Sequence, residues 1–334
     1  MSDLISILMP TRNADKYITD CLDSIIKQTE QNWELLVVND HSEDGTENIL
    51  KQYQNSDKRI KYFNNTGRGI IEALRLAYTN SKGNLITRMD SDDLMESTKL
   101  EKMKTALLSK EGDFLATAFV KYFADKPLGD GYIKYQDWLN ELAEKENNFT
   151  EIYKECVIAS PCWMIRRSTF EKCEAFRPNT YPEDYDLCFR FYENNLKIVS
   201  VKEVMHYWRD YDTRASRTDE HYADNRFLQL KIDYFCKLDK DEKRPLVLWG
   251  AGKKGKFLAQ LLIEKKKKFI WVCNNEKKIG KSIYDVKLFG VKHLENIEKP
   301  QIIIAVAAKD AIQEINQHLT KKNSQNAKDH FYFC

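Results

Sequence analysis

The sequence predicts an α/β protein of two consecutive units, each built on a parallel β-sheet. Short apolar runs alternate with segments of helical apolar spacing through residues 4–90, the pattern of strands joined by right-handed helical crossovers. A second strand-to-helix passage, Leu246-Val247-Leu248-Trp249 running into Gly250-Ala251-Gly252-Lys253-Lys254-Gly255, opens another such unit. Between them, Phe235 to Lys243 crowds charges of alternating sign, which reads as a linker. The expected domains are therefore 1–236 and 245–334, with a linker at 237–244.

A chain of 334 residues is long enough for two cores. Its 42% hydrophobic and 31% charged residues place it among ordinary soluble proteins. A net charge of +2 is too balanced to make nucleic acid the main partner. The eight cysteines are scattered without Cys-x-x-Cys spacing and read as the reduced thiols of a cytoplasmic protein. No signal peptide and no bilayer-spanning run is recognisable. The expected location is the cytoplasm, with the inner face of the membrane left open as a docking surface.

The first strand is Leu4-Ile5-Ser6-Ile7-Leu8-Met9, closed by Pro10-Thr11-Arg12-Asn13. Tyr17, Cys21, Leu22, Ile25 and Ile26 then recur at helical spacing. Trp33 to Val38 forms a second strand ending in Asn39-Asp40-His41-Ser42, and Ser42 or Asp44 can cap a helix over Thr46 to Tyr53. Ile60 to Phe63 is a third strand and Gly67 to Tyr78 a third helix. The fourth strand, Asn84 to Met89, delivers Asp90-Ser91-Asp92-Asp93. Ligands of parallel sheets bind beyond the carboxyl ends of the strands, so Pro10-Thr11, Asp40 and Asp90 to Asp93 are expected to line one edge. Clustered carboxylates repel and are costly to bury unpaired. A divalent cation holding a phosphate answers that need, and a solvated turn or helix start is the plainer reading.

Met9-Pro10-Thr11-Arg12-Asn13, Val38-Asn39-Asp40-His41-Ser42-Glu43-Asp44-Gly45-Thr46 and Arg88-Met89-Asp90-Ser91-Asp92-Asp93, in that order, resemble the family 2 glycosyltransferases, which have the GT-A fold. The resemblance covers roughly the first two thirds of the chain. It implies that Pro10, Thr11 and Asn13 contact the base or ribose and that Asp40 accepts a hydrogen bond from the base. Arg68 is a further nucleotide or phosphate contact, and Asp90 and Ser91 belong to the nucleotide-sugar site. Asp92 is the implied direct ligand of Mn²⁺ or Mg²⁺. Asn39 departs from the pattern, since the family often has an acid there.

Further on, Lys99 to Lys110 reads as a helix, Phe114 to Val120 as a strand, Gly129 to Tyr135 as loop and Trp138 to Glu146 as a polar-faced helix. Ala159 to Arg167 is an apolar strand resembling the family segment before the catalytic acid, with Ser160 where histidine is frequent. Tyr181-Pro182-Glu183-Asp184-Tyr185-Asp186 opens a helix, where capping alone would account for the acids. The resemblance makes Asp184 the general base and Glu183 its orienter or an acceptor contact. A carboxylate that begins to take the proton turns an acceptor hydroxyl into a nucleophile, and one displacement inverts the anomeric carbon. After the strand Lys197 to Val201, the segments His206-Tyr207-Trp208-Arg209 and Arg214-Ala215-Ser216-Arg217 offer cations for the departing diphosphate. Arg209 is the foremost of these, Arg217 the weaker, and His206 is equally readable as a packed core residue.

In the last unit, Gly250, Gly252 and Gly255 would let backbone approach a phosphate at a helix N-terminus. After the strand Phe269 to Val272, however, Cys273-Asn274-Asn275 stands where a ribose-binding acid is expected. A Rossmann-like domain without NAD chemistry follows. It is readable as a second nucleotide site or as a docking and homo-oligomer domain, and a later strand runs from Gln301 to Val306. Lys265 to Lys268 suits an anionic membrane face or a solvated helix end. The function implied is an inverting, metal-dependent glycosyltransferase. It would move sugar from a nucleotide-diphosphate donor to a hydroxyl of a glycan or lipid-linked acceptor in bacterial-type surface polysaccharide synthesis. One rival, a sugar nucleotidyltransferase, needs a glycine-rich basic loop where Pro10-Thr11-Arg12-Asn13 stands. Another, a catalytically silent nucleotide-binding or scaffold protein, has no use for Asp90, Asp92 and Asp184 together.

Overall fold

A computed structural model describes residues 3–212, 214 and 226–334. They fall into two compact units, one of residues 3–148 and 157–214, the other of 149–156 and 226–334.

The first unit is organised by an eight-stranded sheet of order β3-β2-β1-β4-β7-β6-β8-β5. Strands β1 (Ile5–Thr11), β2 (Trp33–Asn39), β3 (Ile60–Asn64) and β4 (Leu85–Arg88) are mutually parallel. Every residue of β1 and β2 is buried, as their largely apolar runs require of strands covered on both faces. Helix α1 (Ile18–Ile26) seals one face with Ile18, Cys21, Leu22 and Ile25. Helices α2 (Thr46–Ser56) and α3 (Ile70–Asn80) complete the crossovers. Pro10-Thr11, Asp40 and Asp90 to Asp93 thus end neighbouring strands on one sheet edge.

Beyond β4 the sheet is mixed. Strand β7 (Trp163–Arg166) runs antiparallel to both β4 and β6 (Phe114–Phe123), while β8 (Lys197–Arg209) is parallel to β6. The two-residue β5 (Leu94–Met95), unanticipated in the sequence, pairs with β8 and ties the Asp90–Asp93 turn to its carboxyl end. Helix α4 (Lys99–Leu108) follows β5. Residues 129–135, expected as loop, belong to helix α5 (Asp130–Lys145), because Tyr132, Tyr135, Trp138 and Leu139 share one face against Tyr122 and Trp208. The strand expected to stop at Val201 continues to Arg209, so His206 to Arg209 lie within β8 rather than after it. The short helix α6 (Arg167–Lys172) precedes α7 (Glu183–Glu193).

The second unit has parallel strands in the order β12-β10-β9-β13-β14, with β11 added as a hairpin. They are β9 (Leu246–Trp249), β10 (Ile270–Cys273), β11 (Ser282–Ile283), β12 (Val286–Gly290), β13 (Gln301–Ile304) and β14 (His330–Tyr332). Counted along the chain, the five parallel strands take the 3-2-1-4-5 order of a doubly wound sheet. The helix Arg226–Leu238 runs through the position expected to end the first domain and packs in this unit. The reason is aromatic. Tyr153 stacks on Phe333 at 5.2 Å and meets the edges of Phe235 and Phe331 at 5.7 and 5.6 Å. Lys265 is paired with Asp233 and Lys267 with Glu242, leaving only part of that lysine run unpaired. Among the described residues no helix is long and apolar enough to cross a membrane. Phe235→Ala should empty the middle of this aromatic cluster, and a denaturant melt should show about 3–5 kcal/mol of lost stability.

Candidate active site

The nucleotide end is built from two interlocked turns. The Asn13 N–H donates to Ser42 Oγ at 2.9 Å, and Asn13 Oδ1 accepts from the Glu43 N–H at 2.9 Å. Asn13 holds φ +48°, a left-handed conformation that asparagine tolerates. Ala14 N–H donates to Thr46 Oγ1 at 2.8 Å. Pro10 and Thr11 end β1 beside this turn, and buried Thr11 Oγ1 has no hydrogen-bond partner among the described residues. Asp40 is 6% exposed. Its carboxylate accepts from Asn65 Nδ2 at 2.7 Å and from the Gly69 N–H at 3.0 Å. That fastens the 65–69 turn, from which Arg68 extends exposed into solvent. Asn39 is buried and bridges Asn64 and the Ser42 N–H, so an acid is not needed to shape the turn.

The acidic turn after β4 is the electrostatic centre. Arg88, which sequence reasoning quoted without a role, donates from Nε to Asp90 Oδ1 at 2.8 Å and from a terminal nitrogen to Glu183 Oε1 at 3.0 Å. One guanidinium therefore joins the end of β4 to the start of α7. Glu183 and Arg88 are almost wholly buried, Asp90 less so. Ser91 is buried in the turn. Asp92 remains partly exposed and accepts from the Tyr211 hydroxyl at 2.9 Å. Burial and the neighbouring Asp93 push its carboxyl up to about 7. Asp93 points inward and is fully buried.

Asp184 stands in the first turn of α7, where the helix dipole favours a carboxylate. Its Oδ1 accepts from the Tyr185 N–H at 2.7 Å. Burial, and then Glu183, lift its carboxyl to about 7, against the pull of Arg88. Asp186, two residues on, serves structure: its carboxylate accepts from Arg190 Nε at 2.7 Å, both side chains buried. Across the turn, Arg209 lies between two aromatic rings, 4.6 Å from the centroid of Tyr17 and 4.5 Å from that of Phe123. Its Nε donates to the Asp92 carbonyl at 2.7 Å, and a terminal nitrogen lies 3.5 Å from Asp20. His206, one reading of which was a cation for the leaving group, is fully buried. Burial and nearby Lys99 drive its pKa well below the usual value, so it is a neutral core residue. Arg214, over the ring of Trp208 at 5.0 Å, is the further cation, its charge strengthened by Asp93 and Asp92. Ser216 and Arg217 lie outside the described residues.

In the second unit, two glycines of the fingerprint are explained by the chain's own packing. Gly250 holds φ +125°, and a Cβ there would stand 2.7 Å from the Ala305 carbonyl oxygen; one on Gly255 would stand 2.2 Å from the Gly250 oxygen. Gly252 alone faces open space, at the start of the helix Lys253–Glu264. Asn274, after β10, accepts from the Trp249 indole N–H at 2.8 Å.

The model of the family described as "Glycosyl transferase family 2" matches residues 6–173, a span that contains Asp40 and Asp90 to Asp93 and stops short of Asp184 and Arg209. The chain is 38% identical over 230 residues to the Escherichia coli UDP-Glc:alpha-D-GlcNAc-diphosphoundecaprenol beta-1,3-glucosyltransferase WfgD, covering 68% of this chain and 83% of that one. With glycosyltransferase GlyG of Streptococcus pneumoniae it shares 24% over 226 residues, 66% of this chain and 75% of the relative. The crystal structure of S. aureus TarS 1-349 in complex with UDP-GlcNAc superposes with a TM-score of 0.54 at 19% identity, over 77% of this chain and 71% of that one; this is a likeness of fold. The chain belongs to glycosyltransferase family 2 and is a glycosyltransferase of GT-A fold.

Removing Arg88 would leave two carboxylates without their shared cation. Arg88→Met should lower stability by about 3–5 kcal/mol in a denaturant melt, and Arg88→Met with Glu183→Gln should recover part of that loss.

Proposed function

We propose that the protein is an inverting, metal-dependent glycosyltransferase that moves a sugar from a nucleotide-diphosphate donor to a hydroxyl of a glycan or lipid-linked acceptor. The observation that carries this reading is the Arg88 guanidinium, which joins the turn bearing Asp92 to the helix start bearing Asp184; burial raises both carboxyls. A base with a pKa near neutrality is ionised when needed and still basic enough to take a proton. Asp184 would be that base, with Glu183, held by Arg88, as its neighbour. An acceptor hydroxyl that gives its proton to Asp184 Oδ attacks the anomeric carbon as the bond to the diphosphate breaks. One such displacement inverts configuration and needs no protein nucleophile.

Thr11, with its unpartnered hydroxyl, Pro10, Asn13 and Asp40 would receive the nucleotide, with Arg68 reaching its phosphates. Asp90 and Ser91 would shape the ribose side. Among the described residues no three His, Cys, Asp or Glu side chains converge on a metal position. Asp92 is one accessible carboxylate, which fits a hard cation that takes one or two carboxylates and completes its shell with phosphate and water. Mn²⁺ or Mg²⁺ held there would neutralise charge on the leaving diphosphate. Arg209, immobilised between Tyr17 and Phe123, supplies a second fixed positive charge that costs no reorganisation during reaction. The name of the E. coli relative, with a UDP-sugar donor and a diphosphoundecaprenol acceptor, supports a lipid-linked acceptor in surface polysaccharide synthesis. Work on such an acceptor would place the enzyme at the cytoplasmic face of a membrane.

The direct test is thermal. UDP with Mn²⁺ should raise the melting temperature of the wild type, and UDP without metal should not. Asp92→Ala should lose that shift; a variant that still shifts fully would remove Asp92 from the metal site. Catalysis should respond to Asp184 in a different way. Turnover should fall about tenfold per pH unit below about 7, since protonation of Asp184 removes the base, and level off above it. Asp184→Asn should lower turnover about 10²- to 10⁴-fold while UDP–Mn²⁺ affinity stays within a few-fold of wild type.

A further inference from the structure

Behind the acidic turn lies a chain of charged and polar groups that donor binding does not explain. Lys99, the first residue of α4, His206 in β8 and Asp93 are all fully buried. Lys99 Nζ donates to the Pro161 carbonyl at 2.8 Å and lies 3.1 Å from His206 Nδ1. A carboxylate can only accept, so the ring proton sits on Nε2, facing Asp93, and Nδ1 accepts from Lys99. The Nε2–H donates to Asp93 Oδ2 at 2.9 Å. The other Asp93 oxygen accepts the backbone N–H of Arg209 at 2.8 Å. Arg209 in turn reaches back from Nε to the Asp92 carbonyl. The loop of contacts closes on Arg209, the side chain proposed above to serve the leaving group.

Burying a lysine amine and a carboxyl group is expensive, and well-packed apolar side chains would fill the same space with less penalty. What apolar groups cannot supply is direction. Two acceptor positions on Asp93, set by an imidazole that is itself set by Lys99, define where the Arg209 peptide must lie. We propose that Lys99 and His206 are positioning residues for glycosyl transfer, acting through Asp93 to hold Arg209 over the Asp90–Asp93 turn. The inference rests on Arg209 serving the leaving diphosphate, as proposed above.

A double-mutant cycle tests it. The readouts are UDP released from UDP-glucose and UDP-N-acetylglucosamine with Mn²⁺, the melting temperature, and UDP–Mn²⁺ affinity. His206→Leu should lower turnover about 10²-fold, the scale of a small misplacement of a catalytic group, with UDP–Mn²⁺ affinity nearly unchanged. His206→Gln, whose amide can accept from Lys99 and donate to Asp93, should restore most of the rate. In an Arg209→Ala background, His206→Leu should cause no further loss. Additive losses in the double variant, or a folded His206→Leu protein with wild-type turnover, would overturn the proposal. Should His206→Leu fail to fold, Lys99→Met takes its place in the cycle; if neither folds, the chain is a stability device and the proposal fails. A wild type that releases no UDP overturns the functional reading, and this inference with it. An active wild type with an additive cycle overturns this inference alone.

Discussion

Repulsion among carboxylates is the constraint around which the first unit is arranged. Asp90, Asp92, Asp93, Glu183 and Asp184 gather at one edge of the sheet, all buried or half-buried in low-dielectric surroundings where like charges cannot be left unanswered. The protein answers differently on each side. Arg88 clamps Asp90 to Glu183 at the start of α7. Lys99 and neutral His206 support Asp93 from beneath. Among the described residues, Asp92 receives the Tyr211 hydroxyl and a distributed pull from Arg214.

The same unevenness separates chemical roles among identical side chains. Glu183 is bonded to a guanidinium, whereas Asp184, one residue on, has its carboxyl raised by burial and by that very neighbour. Arg209 is treated in a comparable manner. Its guanidinium is held between two rings, with its Nε on a carbonyl and a terminal nitrogen 3.5 Å from the exposed Asp20 carboxylate. Around this site the packing is conventional, with apolar strands covered on both faces and α1 sealing the core beside Asp90.

Much of this was legible along the chain. Apolar runs closed by Pro10, Asp40 and Asp90 marked the ends of three parallel strands, because a buried parallel strand needs continuous hydrophobicity and its ligands gather where that hydrophobicity stops. The acid pair before α7 was visible as a helix start. Other features were hidden for reasons of distance. Arg88 could be seen but not interpreted, since its partner Glu183 lies far along the chain. His206 looked like a candidate cation because burial and the Lys99 contact, which keep it neutral, are not written in its neighbours. Residues 129–135 looked like loop because Gly129, Asp130 and Gly131 punctuate them, yet Tyr132 and Tyr135 find an aromatic face that makes a helix worthwhile.

By itself the sequence determined most element types, the parallel start of the sheet and the identity of the groups available for chemistry, since periodicity and residue type are local properties. It also determined the glycine-marked opening of the second unit. The tertiary structure decided the rest. It reversed β7 against its neighbours, carried β8 on to Arg209, and drew the helix Arg226–Leu238 into the second unit through the aromatic cluster of Tyr153, Phe235, Phe331 and Phe333. It also decided which carboxylates are clamped, which is supported from below and which is left facing the cleft. Charge balance and burial depend on partners brought together from distant parts of the chain, and only folding sets those distances.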